Sequence, residues 1–241
     1  MRLLVSLWKM FCYTAGTAVI ALAVYEFWFL AQILYWIEHN PATTRVMDAR
    51  LEALRQNKRS GALDQKWVGY QRISIHLKRA IIIAEDAKFV DHEGFDWEGI
   101  QRAMGKNLRR GKIVAGGSTI TQQLAKNLFL SGERSLLRKG QEAILTAMLE
   151  AAMEKRRIFE IYLNVAEWGE NVFGAEAAAR HYFGVDAAAL EPEQAARLAA
   201  MLPRPATTTA TAARSIWRAT AKAYWSRCPR RRFPSPRDNG C

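Results

Sequence analysis

Glu85 and Asp86 follow a run, Leu77–Ala84, in which apolar residues recur at helical spacing. A carboxylate at the end of an apolar helix loses solvation, its pKa tends to rise, and it becomes a candidate general base near neutral pH. The residues that follow, through Phe89, His92 and Gly94, make a compact polar turn. A second cluster, Gly116-Gly117-Ser118-Thr119-Ile120-Thr121-Gln122-Gln123-Leu124-Ala125-Lys126, reads as a glycine turn, an N-cap at Ser118 and a helix. Ser118, Gln122 and Lys126 then stand at successive i, i+4 positions, a polar stripe ending in a cation. Backbone amides at the turn, the helix N-terminus and Lys126 together could take an anion. In a third cluster Arg134, Arg138 and Glu142 keep the same spacing, with Lys139 beside them, so two guanidiniums and a carboxylate share one face. Such a face can hold a polyphosphate or form a surface salt-bridge ladder. Each cluster alone fits a plainer reading: a solvated helix end, a capped helix, a charged ladder. Three of them between Glu85 and Glu142, each joined to apolar helix, favour chemistry.

The elements that must position these residues are helical. Apolar residues recur every three or four positions through Leu77–Ala84, Ile100–Leu108, Thr119–Leu130, Leu136–Met153, Ile158–Asn164, Ala175–Phe183 and Pro192–Leu202, with glycine-marked loops between. Strand alternation is almost absent; Trp67–Ser74 alone looks extended. Ahead of them, Met10–Ile37 runs for 28 residues with Glu26 as its only charge, more than the roughly 20 that cross a bilayer. Its bulky end, Phe27-Trp28-Phe29-Leu30, is unlike the small-residue cleavage site of a signal peptide. The fold class is therefore all-α with one N-terminal transmembrane helix. The division is a short N-terminus (1–9), the anchor (10–37), a juxtamembrane helical segment (38–66), a helical domain (67–205) and an atypical basic tail (206–241) whose composition reads as disordered.

The net charge of +12 suggests nucleic acid until its distribution is considered. From Arg204 onward there are nine Lys/Arg and one acid, which leaves 26 basic and 22 acidic residues before it. A mildly basic body suits anionic headgroups or phosphorylated substrates at least as well as nucleic acid. Cys12, Cys228 and Cys241 form no metal spacing and no disulfide framework.

Glu85–Gly94, Gly116–Asn127, Arg134–Glu142 and Lys155–Gly184, taken in order, resemble the signature motifs of the peptidoglycan glycosyltransferases, and more closely the monofunctional biosynthetic ones. The likeness covers Trp67–Pro205. It implies a lysozyme-like helical domain on the periplasmic side of the cytoplasmic (inner) membrane, with lipid II and the growing glycan strand as substrates. Other cell-wall synthesis or division proteins are implied as partners, and nucleic acid is not. Carried across, it makes Glu85 the base and Glu142 a second essential acid that orients pyrophosphate or holds a divalent cation, Mg or Mn. Lys126 and Arg134 match phosphate-contacting positions, Arg138 supports them, and Ser118, Gln122 and Gln123 line the cleft. Asn164 and Gly174–Gly184 support the site structurally. The chain departs from the family pattern at Gly69 and Ile75, where relatives often have proline, and after Leu202-Pro203, where a closing helix is usual. The rival reading within the same architecture is a lysozyme-like or lytic enzyme that cleaves peptidoglycan.

Overall fold

The computed structural model describes residues 2–56, 61–112, 116–130 and 135–202. These divide at Asn40/Pro41 into two units. The first is α1 (Arg2–Tyr35), a helix of 34 residues. At about 1.5 Å per residue it is longer than the roughly 30 Å hydrocarbon layer of a bilayer, and its composition is apolar enough to cross one. Arg2 and Lys9 lie on this same helix rather than ahead of it.

The second unit is mostly helical: α2 (Arg45–Gln56), α3 (Ile75–Glu85), α4 (Trp97–Arg110), α5 (Ile120–Phe129), α6 (Leu136–Ala152), α7 (Lys155–Val165), α8 (Ala175–Phe183) and α9 (Pro192–Met201). The periodic segments of the sequence return as these helices, because burial of one apolar face fixes each in place. α7 is buried along most of its length, from Ile158 to Val165, and α3 packs on α9 and α5 on α6 and α7. Alanines 175, 177, 178 and 179 of α8 are fully buried; their small side chains let neighbouring backbone come close.

Two expectations need correction. The domain contains a small sheet, in the order β1–β3–β2, from β1 (Asp64–Gln65), β2 (Glu167–Gly169) and β3 (Val172–Phe173). Strands of two or three residues are too short to leave a period-2 pattern in sequence. Trp67–Ser74 is not simply extended, since Tyr70–Arg72 makes one 3₁₀ turn, held by the Tyr70 amide donating to Glu160 Oε1 at 3.0 Å.

The side chain of Asn164, wholly buried, ties the sheet side to α7. It donates to Val68 O and accepts from Val68 N, both at 2.9 Å. Gly174, at φ +84°, lets the chain pass directly over Asn164, whose carbonyl oxygen lies 2.6 Å from where a Cβ would stand. This structural role of Asn164 and the Gly174 turn agrees with the sequence reading. Trp168, also fully buried, donates to Leu198 O at 3.0 Å and so fixes α9. Ser74 caps α3 by accepting from the His76 amide, and its hydroxyl donates to Leu190 O at 2.8 Å.

Of the two positions where the resemblance leads to an expected proline, Ile75 tolerates one. Ile75 is the first residue of α3, after Ser74 in an extended conformation (φ −51°, ψ 135°), where the amide has no partner within the helix and proline fits. Replacing Ile75, which is 40% exposed, should therefore stabilise the fold through the unfolded chain. Ile75→Pro is expected to raise unfolding free energy by about 0.4–1 kcal/mol in urea titration; a loss of stability would show that the start of α3 is misplaced.

Candidate active site

α3 ends at Glu85, and Asp86 is its C-cap. The two adjacent carboxylates are treated very differently. Asp86, 6% exposed, accepts from His92 Nε2 at 2.9 and 3.1 Å and from the Ile120 amide at 3.1 Å. It thus satisfies one of the unpaired amides that begin α5. The turn between them docks on the same helix end: Thr119 Oγ1 donates to Gly94 O at 2.7 Å, and Gly94 holds φ +84°, with Thr146 Cγ2 only 2.8 Å from a Cβ position.

Among the described residues Glu85 has one side-chain hydrogen-bond donor, Gln123 Nε2, at 2.8 Å from its Oε2. Withdrawal from solvent, the largest effect, raises its pKa above the ordinary 4.5; the Gln123 hydrogen bond opposes this, the Asp86 charge adds to it and the Lys126 charge opposes it. A carboxylate so placed is half-buried and a stronger base than an ordinary glutamate, which suits a proton acceptor. Behind Gln123 stands Tyr162 of α7, 1% exposed, whose hydroxyl donates to Gln123 Oε1 at 3.1 Å. Burial, then the charges of Glu85 and Asp86, push that phenol well above its usual range, so it stays protonated.

The second acid, Glu142, is 4% exposed on α6. Arg138 donates to its Oε2 at 3.4 Å and Lys139 to its Oε1. The expected Arg138–Glu142 spacing is therefore a real contact, with Lys139 as a further partner. Nearby, Glu150 accepts from Thr121 Oγ1 at 2.5 Å and from Lys155 Nζ at 2.8 Å, which links α5, α6 and the start of α7.

A cleft of about 640 Å³ is lined by Ile100, Met104 and Leu108 of α4, by Ser118 and Gln122, and by Lys139, the partner of Glu142; Glu85 is not among its lining residues. One wall is apolar and the other carries amides, a hydroxyl and an ammonium, a lining that suits an amphiphile. Met104 and Leu108 in the cleft, and Leu136 and Leu137 at the start of α6, are exposed apolar side chains.

The polar stripe read from sequence is corrected. Thr119, not Ser118, caps α5, and its side chain and that of Gln122 form a reciprocal capping box at 3.2 and 3.0 Å. Ser118 is outside the helix, Gln122 is turned back onto the cap, and the exposed Lys126 acts on Glu85 electrostatically. Ser118 and Gln122 still share the cleft. Arg134 and the tail from residue 203 lie outside the described residues.

Comparison with known proteins decides the family. The family model described as Transglycosylase matches residues 52–227. A protein of Methylobacillus flagellatus named biosynthetic peptidoglycan transglycosylase is 63% identical over 188 residues, which cover 78% of this chain and 82% of that one. Proteins of the same name from Dechloromonas aromatica (64% over 182 residues, covering 76% and 79%) and Nitrosospira multiformis (57% over 198 residues, covering 82% and 84%) are similar to it as well. The chain belongs to the transglycosylase family.

In this transglycosylase both oxygens of Glu142 face cationic side chains, and among the described residues no three His, Cys, Asp or Glu side chains gather. Four members of the site escaped sequence reasoning: Thr119, Glu150, Lys155 and Tyr162. A tyrosine within the apolar run Ile158–Asn164 was the one available signal, since a buried hydroxyl requires a partner.

Asp86 joins three segments, so Asp86→Asn presents an amide NH₂ where one of two donors now points. We expect a loss of about 1–3 kcal/mol in unfolding free energy together with reduced activity. Unchanged stability would mean that the His92 and Ile120 contacts do not hold the turn to α5.

Proposed function

We propose that the protein extends peptidoglycan glycan strands from lipid II, held by α1 in the bacterial cytoplasmic membrane with its catalytic domain on the outer side. The growing strand is the donor, its terminal N-acetylmuramic acid C1 joined through pyrophosphate to undecaprenol. The 4-hydroxyl of N-acetylglucosamine on incoming lipid II attacks that carbon from the opposite face. The new O–C1 bond forms as the C1–O bond to pyrophosphate breaks; the hydroxyl proton passes to Glu85, undecaprenyl pyrophosphate leaves with the bonding pair, and C1 is inverted. One base and a cationic cradle suffice, because the leaving pyrophosphate needs charge stabilisation rather than a proton. Lys126 and Arg134 are assigned to that cradle, with Arg138 and Lys139 held in place by Glu142. The apolar wall formed by Met104 and Leu108 suits the lipid portion of the substrate.

The observation that carries this reading is the Glu85 carboxylate: desolvated, yet given an amide NH₂ and a nearby ammonium that both favour its ionised form. A lytic enzyme would also use a carboxyl of raised pKa, to protonate a leaving sugar oxygen; the relatives named biosynthetic peptidoglycan transglycosylase favour synthesis over cleavage. Purified protein incubated with lipid II in detergent, and separately with finished peptidoglycan, separates the two: lengthening strands support the proposal and shortened strands refute it.

Glu85→Gln removes the proton acceptor with little change in volume and should slow polymerisation by about 10²–10⁴-fold while leaving lipid II binding intact. Because the base acts when ionised and its pKa is raised, the wild-type rate should climb with pH through a range above that of an ordinary glutamate. Near-wild-type turnover in Glu85→Gln would refute the assignment.

Charge on the departing pyrophosphate should make Lys126→Ala and Arg134→Ala each cost about 100-fold in rate. Arg138→Ala should be milder, since Lys139 remains on Glu142, and substitution of arginines from Arg214 onward should matter little. Full rate in the first two variants, with loss on tail truncation, would displace the cradle.

A further inference from the structure

Glu85, Gln123 and Tyr162 form a chain whose polarity is fixed by chemistry. Glu85 as a carboxylate can only accept, so the Gln123 side chain must turn its NH₂ toward it. The carbonyl of the same amide then faces Tyr162, and a carbonyl oxygen can only accept, so the phenol donates. Turned over, the amide would offer its carbonyl to Glu85 and favour the protonated acid, and Tyr162 would face an NH₂. An O–H that points at the carbonyl penalises that reversal. Among the described residues, Gln123 and Tyr162 make no other side-chain hydrogen bonds, and Tyr162 is buried where no water-facing alternative exists.

We propose that Tyr162 is a positioning residue for the proton acceptor: through its hydroxyl it locks the Gln123 amide with NH₂ toward Glu85, keeping that carboxylate ionised and ready to accept. This rests on the reading of Glu85 as the base. The lock also favours release of the proton after each transfer, because rotating the amide to accept from the neutral acid would leave the buried Tyr162 hydroxyl hydrogen without an acceptor. Among the described residues, the other charged groups acting on Glu85 are Asp86 at the end of its own helix and Lys126 on α5. His92 reaches it only through Asp86, Glu150 of α6 is occupied by Thr121 and Lys155, and Glu193 and Arg197 of α9 pair with each other at 2.6 Å. None of these contacts substitutes for the amide.

The test is the pH dependence of lipid II polymerisation by the full chain, with kcat and KM resolved. Tyr162→Phe removes only the donor. The acidic limb of kcat should move upward by about 0.5–1 pH unit, the scale of one neutral hydrogen bond's bias. KM should be unmoved and activity should recover at higher pH. Gln123→Met should move the limb at least as far, and adding Tyr162→Phe to it should move it no further. A kcat lowered by the same factor at every pH, or an unmoved limb, overturns the proposal. Should Tyr162→Phe fail to fold, 3-fluorotyrosine at position 162, a stronger donor of nearly the same shape, must shift the limb downward, and an unshifted limb overturns the proposal equally. Failure of the Glu85 reading is distinguishable: Glu85→Gln would then retain turnover and the wild-type limb, whereas failure of the Tyr162 role alone leaves that limb abolished by Glu85→Gln and insensitive to Tyr162→Phe.

Discussion

Two carboxylates in sequence at the buried end of an apolar helix cannot both be left as they would be in water, and the site follows from how this conflict is resolved. Asp86 is saturated by His92 and the first amide of α5, and becomes structural. Glu85 receives an amide donor from Gln123 and keeps a raised pKa. The α5 N-terminus must therefore dock at the end of α3, the Gly94 turn must close over Thr119, and α7 must bring Tyr162 up behind Gln123. The buried clamp at Asn164 and the Trp168–Leu198 contact hold the far side of α7 and α9 so that this approach is reproducible.

The arrangement carries a thermodynamic cost. With its pKa higher in the folded state than in the unfolded chain, Glu85 binds its proton more tightly when folded. Its contribution to stability is most favourable at low pH and falls as pH rises through the ordinary value of 4.5 and then through the folded value. This group therefore contributes less to stability at a pH above its folded value than it does below 4.5. A residue chosen for packing would not be placed so; one chosen for proton transfer would.

The helices and their order were legible in the sequence because apolar residues recurring every three or four positions over two or more turns form one buried face only when the chain is helical. The acidic pair, the glycine turn before α5 and the Arg138–Glu142 contact were legible for the same reason, being local. What was not legible depends on residues far apart in the chain. Gln123 meets Glu85 and Tyr162 across separations of 38 and 39 residues, and nothing in the sequence of α7 says which residue its tyrosine will face. The three-stranded sheet was hidden by the shortness of its strands. The cap of α5 was read one residue early because Ser118 and Thr119 are both good caps, and only Gln122 at the third helical position completes the box with Thr119. With the cap at Thr119, the Ser118–Gln122–Lys126 stripe dissolves and Lys126 is seen to act on Glu85.

The central claim is that Glu85 is a desolvated carboxylate held ready to accept a proton. Its most direct test is a ¹³C NMR titration of the Glu85 carboxyl in selectively labelled protein, identified by its disappearance in Glu85→Gln. The account predicts a midpoint above the ordinary 4.5, coincident with the acidic limb of the polymerisation rate. A midpoint at or below that value, or one unrelated to the rate, would contradict it.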